Sequence, residues 1–73
     1  MNFLQLLRKR RGKSQQDMAE MLGMTRQTYA RREAHPENLT IEESVLVSRV
    51  LDVEVGHLVT GIARFIDEAP QNE

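Results

Sequence analysis

Two helix-start signals, Ser14 and Thr25, flank Gly23, and almost no chain is left between them for a loop. Ser14 is a favoured N-cap, and Asp17 stands at the third helical position after it, as a capping box requires. Met18, Ala19, Met21 and Leu22 follow at i, i+3, i+4 spacing, which predicts one inner side of a helix. Gly23 suits the C′ position, where a left-handed backbone carries no Cβ penalty. Only Gly23 and Met24 precede the next cap, so another helix starts at once and runs from about Arg26 to Glu33.

Two helices joined by such a turn make a helix-turn-helix unit, here over about residues 15–33. The rest of the chain also reads as short helices. Asn2 caps the first, Gln5 completes a capping box, and Met1 is placed to staple onto Leu6. Phe3, Leu4 and Leu7 form its apolar stripe and Gly12 ends it. After a loop over Ala34–Leu39, Thr40 and Glu43 open a helix over about Ile41–Leu51. Its stripe Ile41, Val45, Ser48, Leu51 is expected to face the core, and Leu46, Val47 and Val50 make it apolar over more than one face. The β-branched content of Val45–Val55 suits a strand, but the capping box and the 3.6-residue spacing favour helix. Val53, Val55, Leu58 and Val59 predict a short fifth helix, weakly started because Glu54 is a poor cap. Ile62, Phe65, Ile66 and Ala69 predict a sixth, amphipathic and spanning about residues 61–69, with 70–73 as a frayed tail. The expected fold is all-α, with five or six short helices in one domain over residues 1–69.

Composition removes most other function classes. A chain of 73 residues has room for one small domain whose core is modest. The absence of cysteine excludes a disulfide scaffold, a zinc-thiolate site and a thiol nucleophile. His35 and His57 lack metal-ligand spacing, so neither metal nor cofactor is expected. Ser14, Ser44 and Ser48 have no acid–base partner at readable spacing, and no phosphate loop or carboxylate pair occurs, so an enzyme is not expected. No apolar run approaches the roughly 18 residues of a membrane span. The first residues lack the order of a signal peptide, and the chain is expected to act in the cytoplasm.

A net charge of −1 conceals an asymmetry. Residues 1–35 carry a net +5, with eight basic and three acidic side chains, and residues 36–73 carry −6. One face for a polyanion and another turned away would account for this, as would two solvated surfaces of opposite sign. The helix at 26–33 separates these readings further. Arg26, Gln27, Ala30 and Arg31 share one side through i, i+4 pairs, while Thr28, Tyr29 and Arg32 lean the other way. Arginine pairs with guanine, glutamine with adenine and a methyl group with the thymine methyl. At the start of the second helix of this motif, those residue types suit a major groove. An ordinary solvated helix face is the alternative. Gln15 opens the preceding helix, whose free N–H groups suit a phosphate. The basic run Arg8, Lys9, Arg10, Arg11, Lys13 lies near the same end, where it suits either phosphates or the C-terminal dipole of the first helix.

The segment Ser14-Gln15 through Met18-Ala19, Gly23-Met24-Thr25 and on to Glu33 resembles the phage repressor and Cro-like (XRE-type) helix-turn-helix family. The likeness extends from about Leu4 to Val59, with Leu51-Asp52-Val53 and Val55, Leu58, Val59 similar to the family's closing helices. It implies a lambda-repressor-like DNA-binding domain and a sequence-specific transcription regulator of double-stranded DNA, expected to be a repressor. It implies phosphate contact by Gln15 and Thr25, and base reading by Arg26, Gln27 and Arg31 beside Ala30. Arg8, Arg10, Arg11 and Lys13 complete the phosphate set, and Arg8 and Glu33 occupy the positions of a helix-to-helix ion pair. Arg11, Lys13, Arg32, Tyr29 and Ala34-His35-Pro36 depart from the family's usual residues.

Such proteins commonly bind palindromic operators as homodimers. Leu46, Val50, Ile62, Phe65 and Ile66 either complete the small core or are the candidate dimer contacts. The rival reading is a protein-interaction module, such as an antitoxin or phage regulatory partner. Its C-terminal apolar helix would dock another protein, with DNA binding secondary.

Overall fold

A computed structural model describes the backbone of residues 1–68 and the side chains through Arg64. Five α-helices appear among these residues: α1 (Phe3–Arg10), α2 (Gln15–Leu22), α3 (Arg26–Ala34), α4 (Ile41–Val50) and α5 (Val55–Glu68). A 3-10 turn over Pro36–Asn38 separates α3 from α4. No strand occurs among the described residues, and the all-helical class read from the sequence is the one found.

Local chemistry explains most boundaries. Ser14 and Thr40 form complete capping boxes with Asp17 and Glu43. Asn2 forms half of one: its Oδ1 accepts from the Gln5 backbone N–H at 2.8 Å, and the Gln5 side chain does not return. The Asn2 amide instead donates to the Glu33 carbonyl at 2.6 Å, tying the start of α1 to the end of α3. Three helices finish in one type of left-handed turn, at Gly12, Gly23 and Asp52. In each, the next residue donates its N–H back five residues, from Lys13 to Arg8, Met24 to Ala19 and Val53 to Ser48.

The core is built from Leu4, Leu7, Met18, Ala19, Tyr29, Val47, Leu51, Leu58 and Ile62, to which every α-helix contributes. Phe3, Leu22, Met24, Leu39, Val50 and Val53 pack around it. Four expectations need correction. The fifth and sixth helices are one, α5, which runs through Gly61 without interruption. Ile41 is 86% exposed because it stands first in α4, before the helix reaches the core. Met21 lies on the solvent side of α2, one position round from the buried pair Met18 and Ala19. Val55 and Val59 are 41% and 48% exposed, so Leu58 and Ile62 carry the packing of α5. Ala69 and the tail at 70–73 lie outside the described residues.

Candidate nucleic-acid interface

The third helix is mostly polar, yet it is fixed by two buried side chains one turn apart, Tyr29 and Glu33. Glu33 is a hub. Arg8 Nε donates to its two carboxylate oxygens at 2.5 and 3.2 Å, and Gln15 Nε2 donates at 2.9 Å. The Tyr29 hydroxyl lies at 3.4 Å. Arg8 also donates from Nη1 to the Lys13 carbonyl at 2.7 Å. Arg8 and Glu33 are 7% and 2% exposed, so both charges have left water and each depends on the other. The Glu33 hydrogen bond holds the Arg8 guanidinium above its ordinary value despite burial. Burial, then the Glu33 charge, pushes the Tyr29 phenol well up. No buried side-chain nitrogen or oxygen among the described residues lacks a partner.

With Tyr29 and Glu33 turned inward, helical geometry turns Arg26, Gln27 and Arg31 outward, and all three are exposed. Ala30 lies between them, half-buried. Ala34 continues the same side one turn further on and is exposed, a position the sequence reading missed although its i, i+4 spacing from Ala30 announces it. Arg26 and Gln27 have no side-chain hydrogen-bond partner among the described residues. The Arg31 guanidinium lies 3.4 Å from the Thr28 hydroxyl.

The residues read as phosphate contacts separate into two groups. Arg10 is exposed at the last turn of α1, and Lys13 is half-exposed just before α2. Gln15 opens α2 with one amide N–H committed to Glu33. Arg8 and Arg11 have internal employment. Arg8 is removed from the phosphate set because its guanidinium is buried against Glu33 and the Lys13 carbonyl. Arg11 donates from Nε to the Leu51 carbonyl at 2.7 Å and reaches the Asp52 carbonyl at 3.4 Å. It thereby supplies a cation where the last carbonyls of α4 lack helical partners. Thr25 caps α3, accepting from the Thr28 N–H at 3.1 Å and donating to the Thr28 hydroxyl at 2.9 Å. Arg32 pairs with Glu43 at 3.1 Å, which links α3 to the start of α4.

At the other end lies an apolar groove of about 270 Å³ between the 3-10 turn, the start of α4 and α5. Ile41, Val55, Val59 and Ala63 are its exposed apolar residues. Among the dimer candidates, Ile62 belongs to the core and also lines this groove, and Val50 packs at the core edge. Leu46 is partly exposed on another side of α4, and the side chains of Phe65 and Ile66 lie outside the described residues.

A helix-turn-helix family model matches residues 4–58, well over half the chain. The protein belongs to the XRE-type helix-turn-helix family. Members of this helix-turn-helix family are DNA-binding regulatory domains rather than enzymes. The match takes in the Glu33 hub, the whole of α2 to α4 and the start of α5. No curated protein and no solved structure matches this helix-turn-helix chain. Among the described residues no helix is long and apolar enough to cross a membrane. No cluster of His, Asp or Glu suited to a metal ion occurs there either.

Proposed function

We propose that the chain is a sequence-specific transcription repressor that occupies a palindromic operator as a homodimer. The observation that carries this reading is the division of α3. One side is locked inward by Tyr29 and Glu33, and the other presents Arg26, Gln27, Ala30 and Arg31. Entering the major groove, α3 meets guanine with Arg26 or Arg31, adenine with Gln27 and the thymine methyl with Ala30. Gln15, Thr25, Arg10 and Lys13 hold the phosphates that set its register. Repression follows from occupying the promoter, and the chain needs no cofactor or catalytic step for it.

A second copy of the chain covers the groove of Ile41, Val55 and Val59. The groove includes none of the proposed base-reading residues, so pairing there leaves α3 free. A two-fold dimer spaces its recognition helices about 34 Å apart, one turn of DNA. The same exposed groove also fits the second reading, a foreign protein partner.

The test is selection from random duplex DNA at two salt concentrations, followed by sedimentation of the protein. An enriched two-fold motif with half-sites about one turn apart is the expected result. Arg26→Ala is expected to cost about 1–3 kcal/mol at one base position and to relax preference there. Lys13→Ala weakens all sequences alike and flattens the salt dependence. If Arg26→Ala weakened selected and random DNA equally, its reading role would be wrong. Motif-free retention by a monomer would favour the foreign partner.

A further inference from the structure

A second hollow lies beside α3. It encloses about 200 Å³ and is lined by Asn2, Gln5, Gln15, Ala30, Glu33 and Ala34. Two of its walls, Gln15 and Ala30, come from the proposed contact set, and they stand on different helices. Its third wall is α1, which has no part in that set at this end. Nothing on α3 fills the hollow, because Ala30 and Ala34 present only methyl groups to it.

Gln5 is held there with its amide uncommitted. Its backbone N–H donates to Asn2 Oδ1 at 2.8 Å, while the Asn2 amide donates to the Glu33 carbonyl at 2.6 Å. The start of α1 is thus clamped to the end of α3, and the Gln5 Cα has little freedom. The side-chain amide is not drawn back onto the cap and has no hydrogen-bond partner among the described residues. The nearby Glu33 carboxylate already accepts from Arg8 and Gln15 and is matched in charge by Arg8. It therefore leaves the hollow polar without a free negative charge.

We infer that Gln5 is a further DNA-binding residue, donating from its side-chain amide to a backbone phosphate oxygen of the duplex read by α3. This rests on the DNA-binding reading above. A helix seated in the major groove has its flanking elements against the sugar–phosphate chains, and α1 flanks α3 at this hollow.

The test compares wild type, Gln5→Ala and Gln5→Glu on a selected duplex and on a random-sequence duplex, with thermal melting of each protein. Gln5→Ala is expected to weaken both duplexes by about fivefold, the worth of one net hydrogen bond. Gln5→Glu weakens them further at low salt and by less as salt is added. Its melting temperature stays level or rises, because an acid in the first turn of α1 complements the helix dipole. Loss of binding without loss of stability is the signature a merely structural glutamine does not give. If both variants bind as wild type does, or if only one duplex is affected, the phosphate contact is overturned. A wild-type chain that retained neither duplex would overturn the DNA-binding reading as well.

Discussion

The two ends of the molecule are held together by different physics. Around α1, α2 and α3 the contacts are polar and directional: a buried ion pair, an amide and a phenol converge on the Glu33 carboxylate, and the Asn2 amide clamps the Glu33 backbone carbonyl. Around α4 and α5 they are mainly apolar, and Leu58 and Ile62 pack without a comparable network. Directional bonds fix the position of α3 against α2 to within a hydrogen bond's tolerance, which is what base reading demands of a helix. Apolar contacts tolerate shifts more readily, and this end also leaves Ile41, Val55 and Val59 in solvent. One end is built to hold a shape, and the other retains surface that a partner can cover.

The strongest way to break this contrast is to remove its centre. Glu33→Ala leaves Arg8 buried without its carboxylate, a loss of about 3–5 kcal/mol. In a small domain of marginal stability that is enough to unfold much of the population. Replacing both partners with apolar residues, as in Arg8→Met with Glu33→Leu, is expected to recover most of the stability. It would not recover DNA binding, because Gln15 also loses its support. Chemical denaturation gives the first quantity and duplex titration the second. A single Glu33→Ala variant as stable as wild type would show that apolar packing alone holds α3.

A smaller effect separates two glycines within α5. A Cβ on Gly56 meets nothing, whereas one on Gly61 overlaps the Phe3 ring. That ring also stands edge-on to His57, with centroids 5.6 Å apart, so α1 rests on α5 through this patch. Gly56→Ala is expected to gain about 0.5–1 kcal/mol from helix propensity. Gly61→Ala makes the same backbone gain and then displaces Phe3, at a cost of about 1–3 kcal/mol for overpacking. The paired melting curves should move in opposite directions. Equal shifts would mean that Phe3 gives way freely and that the α1–α5 contact is loose.

These two sites also show what a sequence can reveal. Caps, stops and apolar spacing are local, and from them the all-helical fold and the outward side of α3 were legible. Ser14, Thr25 and Thr40 each cap the helix they were expected to start. Contacts between distant segments were not legible. Gly61 reads as a boundary until Phe3 is seen lying on it. Arg11 reads as one more cation in a basic run, yet it reaches the end of α4, some forty positions away along the chain. No local rule joins α1 to α3, so only the family resemblance pairs Arg8 with Glu33. Ile41 failed for another reason: helical spacing defines a side of α4 but not where along the helix the core begins.

Next in size is the acid response at the junction of the two ends. The Thr40 backbone N–H, and then Arg32, hold the Glu43 carboxyl below the usual carboxylate range. A carboxyl lowered on folding contributes stability that is present above its unfolded value of about 4.3 and is lost as pH falls through its folded value. The melting temperature is therefore expected to decline below about pH 4.3, and Glu43→Gln should show a shallower decline. Thr40→Ala, which removes the other half of the box, costs about 1 kcal/mol at neutral pH. If wild type and Glu43→Gln lost stability in parallel, the acid response would have to arise elsewhere.

The smallest effect tests the turns. Three helices end in one left-handed geometry, but the basic half uses Gly12 and Gly23, and the α4–α5 junction uses Asp52, with φ of 56°. A left-handed conformation costs an L-residue roughly 1–2 kcal/mol, and aspartate is among those that tolerate it best. Glycine would lift that cost but would widen the freedom of the unfolded chain, which takes back part of the gain. Asp52→Gly is therefore expected to stabilise by no more than about 1 kcal/mol. Arg11 reports whether the turn itself survives, because it bonds the Leu51 and Asp52 carbonyls rather than the Asp52 carboxylate. Its contribution should persist in Asp52→Gly, so Arg11→Ala should cost the same in either background. If the Arg11 cost vanished with Asp52, the tie between the two ends would be an ion pair rather than a helix cap.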